Sequence, residues 1–137
     1  GCCCDWLRGE MDVLEEQCVS EKPVIDEEIH SSLRDVFDTE ALGDLFQLYI
    51  EAVVSGQELL SEAVKTGDCA LVEKEAHKIV SASAQYGFPR AAGVARALEN
   101  AAIKERTADF PRHLDQLTVV IADSQKIAEK IAIAGRH

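Results

Sequence analysis

EKEAHKIVSASAQYG, residues 73–87, holds one histidine among small residues and closes on a glycine. Counting from Val72, the residues Ala76, Ile79, Ser83 and Tyr86 fall at i+4, i+7, i+11 and i+14, the period of one face of an α-helix. Gly87 is placed to stop that helix and Asp68 to cap its start. His77 falls on the other side. Its neighbours at i−4, i−3, i+3, i+4 and i+7 are Glu73, Lys74, Val80, Ser81 and Ala84. The imidazole is expected to face solvent over a low surface of small side chains, with Val80 exposed beside it.

The same period extends both ways. Thr39 is expected to cap a long helix whose apolar stripe is Leu42, Leu45, Phe46, Tyr49, Val53, Leu60 and Val64. Lys65 lies in its last turn and Gly67 ends it. Downstream, Pro89 opens a helix to about Lys104 carrying Ala91, Val94, Ala95, Leu98, Ala101 and Ala102. Asp109 is expected to cap a last helix, with Pro111 in its first turn and Leu114, Leu117, Ile121, Ser124, Ala128 and Ile131 inward. Val24–Phe37 reads as a shorter helix, its first turn enriched in acid by Asp26, Glu27 and Glu28. Before it, Leu7, Met11, Leu14 and Cys18 mark an amphipathic helix over Asp5–Val19, with Trp6 and Val13 beside the stripe, and Ser20–Pro23 breaks it. No strand or hairpin signal appears. Short breaks between long helices make sequence neighbours antiparallel. The expected fold is all-α, an up-down-up-down antiparallel four-helix bundle with one or two shorter N-terminal helices. Residues 1–23 form a tail and amphipathic helix, and residues 24–134 form the bundle.

Composition narrows the function. The chain has 137 residues and a formal net charge of −11, the wrong sign for neutralising nucleic-acid phosphates or an anionic membrane surface. No apolar run reaches the roughly 20 residues that span a bilayer, and no secretory signal is present, so a cytoplasmic protein is expected. Five cysteines, three of them in the run Cys2-Cys3-Cys4, offer neither a CxxC nor a paired framework. Myristoylation needs Ser or Thr where Asp5 stands.

His77 is the one candidate for chemistry. A neutral imidazole is a nucleophile near pH 7 and can take a phosphoryl group from an acyl phosphate. Lys74 and Lys78 are close enough along the helix to offset a phosphate charge of about −2. His30, His113 and His137 stand at no metal-ligand spacing with it, so no metal is expected, and the isolated Glu27–His30 pair is expected to be solvated. No P-loop or kinase glycine loop is present. A single surface histidine on a helix proves nothing by itself.

The stretch resembles a histidine phosphotransfer (HPt) domain, whose pattern is A-H-x-L-K-G-S-[SA]-x-x-[LIV]-G followed by L-E. Here stand Ala76-His77, Ile79, Ser81-Ala82-Ser83, Tyr86-Gly87 and Leu98-Glu99. Leu42–Tyr49 and the turn Thr66-Gly67-Asp68 are also similar, and the resemblance covers about residues 24–132. It implies a phosphorelay carrier without kinase activity of its own. His77 would accept a phosphoryl group from a receiver-domain aspartate and pass it to another receiver. Lys74, Lys78, Ser81 and Gln85 would support it, and Ala70, Val80, Ala84 and Phe88 would contact the partner. The partners implied are response-regulator receivers and a hybrid histidine kinase; no cofactor belongs to the carrier, since the receiver brings Mg²⁺. Two positions depart from the pattern, Val80 for its lysine and Ser81 for its glycine. They leave a second reading open, an adaptor that binds receivers or kinases without being phosphorylated.

Overall fold

The computed structural model describes residues 22–135. The amphipathic stretch Asp5–Val19 lies outside them. Five α-helices and one 3₁₀ turn account for the ordered elements, and no strand occurs among the described residues. They are α1 (Glu27–Val36), α2 (Thr39–Thr66), α3 (Cys69–Gln85), α4 (Pro89–Ile103), the 3₁₀ turn Thr107–Asp109 and α5 (Phe110–Gly135).

Local chemistry sets these limits. Asp26 accepts from the Glu28 and Ile29 amides at 3.1 and 3.2 Å and starts α1. Asp38, not Thr39, caps α2, accepting from Ala41 N at 2.8 Å. Both residues are competent caps, and the carboxylate one residue earlier takes the role. Asp68 caps α3 through Leu71 N at 3.1 Å. Gly67, at φ 68°, ends α2. The break after α4 is made differently. Glu105 adopts φ 56°, the left-handed conformation that a glycine usually supplies.

Helices α2 to α5 form the four-helix bundle, α2 packing on α3 and α5, and α4 on α3 and α5. The expected stripes fill its core. Phe46, Tyr49, Val53 and Leu60 come from α2, Val72, Ala76, Ile79 and Ser83 from α3, all six predicted residues from α4, and Leu117, Ile121, Ser124 and Ala128 from α5. Leu45, Val64, Tyr86, Leu114 and Ile131 are half-buried at the margins. At the interior, Tyr49 Oη and Ser83 Oγ lie 3.1 Å apart, and Ser124 donates to the Val120 carbonyl at 3.1 Å. Each buried hydroxyl thereby keeps a partner. Where α2 and α5 cross, a Cβ on Gly43 would stand 3.0 Å from the Gly135 Cα, so the two backbones meet without side chains between them.

Helix α1 lies across the end of the bundle where α2 begins, α3 turns into α4, and α5 finishes. The residues before it are tied to the α3–α4 turn. Asp26 N donates to the Gly87 carbonyl at 2.9 Å, Arg90 N to Pro23 O at 3.2 Å, and Arg90 Nε to Lys22 O at 2.6 Å. From α1, His30 inserts its ring edge-on against Phe46 and Phe88, with centroids 5.5 and 5.3 Å away. The expectation that His30 is solvated is therefore overturned. Its helix has little apolar surface, and the imidazole supplies the piece that reaches the core. Gly87 makes room for it. A Cβ there would stand 2.5 Å from the ring, and the backbone is at φ 78°.

Candidate functional site

His77 stands midway along α3 with 64% of its side chain exposed. Its Nδ1 lies 2.7 Å from Oε2 of Glu99 on α4, and the Glu99 side chain is only 12% exposed. An ionised carboxylate can only accept, so Nδ1–H donates and Nε2 keeps its lone pair. The interaction spans the seam between two packed helices, which fixes the ring as well as the tautomer. Leu98, next to Glu99, is fully buried and pins that turn of α4.

The surroundings are low, as the run of small residues suggests. Ala70, Lys74, Ser81, Ala84 and Gln85 are exposed along α3. Next to Ala84 a groove of 270 Å³ runs between α3 and α4, with Ala92 and Gly93 on its wall, Arg96 at one edge and Lys22 at the other. Arg96 is exposed one helical turn before Glu99.

Two expectations need correction. Val80 is not beside the imidazole at the surface; it is 3% exposed and belongs to the core. Helix α3 packs on two neighbours, so its buried arc is wider than one stripe, and Val80 occupies the flank turned toward α4. Phe88 is fully buried and stacks on Tyr49 with centroids 4.8 Å apart, so it presents no surface to a partner. The turn after Gly87 directs it inward. Lys78 sits on the opposite flank, toward α2, where it pairs with the buried carboxylate of Glu75 at 3.1 Å.

Glu99 and Arg96 carry no weight in a periodicity reading, because both lie on the polar side of an alanine-rich helix. The Leu98-Glu99 pair of the HPt pattern was the available signal for the first. Nothing in the sequence alone marks the second.

The fold is a four-helix bundle that carries an exposed histidine held by a carboxylate across a helix seam. The Hpt domain family matches residues 44–127, and the chain belongs to that family. In fold it is similar to the crystal structure of histidine-containing phosphotransfer protein B from Pseudomonas aeruginosa PAO1, with a TM-score of 0.77 at 20% identity, over 85% of this chain and 99% of that one. No curated protein matches the sequence. Among the described residues no helix is long and apolar enough to cross a membrane.

Proposed function

We propose that this domain is a phosphorelay carrier in which Nε2 of His77 accepts a phosphoryl group from the aspartyl phosphate of one receiver and returns it to the aspartate of another. The observation that carries the reading is the 2.7 Å bond from His77 Nδ1 to Glu99 at an otherwise exposed ring. In the forward step the Nε2 lone pair attacks phosphorus, an N–P bond forms, and the acyl P–O bond breaks to release the aspartate carboxylate. The imidazole then carries a positive charge, since Nδ1 keeps its proton. Glu99 faces that charge and stabilises it through a charge-assisted hydrogen bond. The reverse step needs no proton to move on this chain. Receivers supply Mg²⁺ and bind the phosphoryl oxygens; a hybrid histidine kinase is the expected source of the first aspartyl phosphate.

Docking uses the exposed face of α3 around Ala70, Lys74, Ser81 and Ala84, together with the α3–α4 groove and Arg96. Among the described residues Lys74, Arg96 and Lys22 are the cations exposed on that face to approach an anionic active site, Gln85 adding a neutral polar contact. Burial of Val80 bears on the adaptor alternative. A lysine replaced by a core valine changes packing, not the contour that a receiver meets, and serine at position 81 adds only a small exposed hydroxyl. Incubation with a panel of phosphorylated receivers tests the proposal. The expected product is an acid-labile, base-stable phosphate on the native chain and none on His77→Gln. A receiver that binds both proteins but phosphorylates neither would establish the adaptor instead.

A further inference from the structure

At the end of the bundle capped by α1, a groove of 540 Å³ opens between the α1–α2 junction and the last turns of α5. Phe37, Leu42, Ile131 and Ala134 give it apolar walls, and Arg34 and Lys130 stand exposed on its rim. Val36 and Phe37 beside it are exposed large apolar side chains. We propose that this groove is the intramolecular docking site of the chain's own acidic amphipathic stretch, Asp5–Val19.

Pattern, charge and reach all select this occupant. In helical register Leu7, Met11, Leu14 and Cys18 form one stripe, and Glu10 and Glu15 flank it on opposite sides. The stretch carries five carboxylates against the single Arg8, complementing Arg34 and Lys130 on a lining whose one carboxylate, Asp38, is engaged by the Ala41 amide as the α2 cap. Its end is anchored where docking needs it, since Lys22 is held to Arg90 at the far end of α1. The 12 steps from Trp6 to Cys18 amount to about 18 Å at a helical rise of 1.5 Å per residue. The 10 residues of α1 cover about 15 Å, so the length of chain before Lys22 is enough to reach Phe37 and Leu42.

Trp6 is the only tryptophan, which makes the test direct on the full chain. The expected result is a blue-shifted Trp6 emission, poorly quenched by acrylamide and independent of protein concentration. Double charge reversal at the exposed rim, Arg34→Glu with Lys130→Glu, should move the emission to that of solvated tryptophan and raise quenching several-fold, with the helical circular dichroism unchanged. Adding Glu10→Lys and Glu15→Lys to that variant should restore the blue shift. A native emission equal to that of the urea-unfolded chain overturns the proposal. So does a blue shift lost on dilution, which would assign the groove to a second copy, and so does one indifferent to the rim charges, which would place the stretch elsewhere.

Discussion

At the scale of single residues, two histidines of the same bundle have been given opposite surroundings. His77 keeps its ring in solvent and one nitrogen on a carboxylate; His30 is buried among aromatic rings. The first arrangement makes Glu99 a positioning residue. Replacing it with glutamine keeps a hydrogen-bonding atom near Nδ1 but removes the charge that faces the phosphoimidazolium. A hydrogen bond to a charged group is worth about 1.5–3 kcal/mol, so Glu99→Gln should slow transfer from a receiver by about tenfold or more. Single-turnover rates at saturating receiver measure this, and unchanged receiver affinity separates positioning from docking. His30 has a different consequence. Burial holds its imidazole below the ordinary value of 6.5, opposed in part by the Tyr86 carbonyl. The unfolded chain therefore binds the proton more readily. The contribution of neutral His30 is fully present above about pH 6.5 and is lost as pH falls toward the lower folded value. Urea unfolding followed downward from neutral pH should show falling stability, and His30→Gln should flatten that slope while lowering stability at pH 7.

At the scale of elements, the periodicity of apolar residues identified the four bundle helices, because a bundle core depends on stripes that repeat along each rod, whereas α1 was legible from its acidic first turn. Boundaries were less legible. Phe37-Asp38-Thr39 offers two competent caps, and only the folded geometry chooses Asp38. Val24 and Ile25 carry apolar side chains that suit a helix, yet the backbone on either side of them is tied to the α3–α4 turn, Pro23 O accepting from Arg90 N and Asp26 N donating to Gly87 O. The end of α4 has no glycine to announce it, and Glu105 takes the left-handed conformation at a cost of about 1–2 kcal/mol. That strain gives a prediction for this element. Glu105→Gly relieves it but adds freedom to the unfolded chain, so the net gain should be up to about 1 kcal/mol. Thermal unfolding would register it as a rise of a few degrees.

At the scale of the whole molecule, the bundle divides α3 between flanks that hold the fold and an exposed face, the one proposed above to meet a receiver. A single helical wheel gives α3 one inward stripe, whereas the fold gives it two flanks as well, and this is why Val80 was misplaced and Ala84 was not. The pair Glu99–His77 escaped the same reading because it depends on which helix lies beside α3, a fact of the assembled bundle. The division can be tested with one charge moved by a single turn of helix. Aspartate at position 80 would bury an unpaired carboxylate within the core, a change of the kind that costs about 3–5 kcal/mol. Aspartate at position 84 would stay in water and change stability by no more than about 0.5 kcal/mol. Val80→Asp should therefore lower the unfolding temperature steeply. Ala84→Asp should leave it within a few degrees while weakening receiver binding tenfold or more, since it sets a negative charge against the anionic active site of the partner. Titration calorimetry beside thermal unfolding reads both effects. Equal losses of stability in the two variants would mean that the α3–α4 groove is part of the core and not the face that a receiver meets.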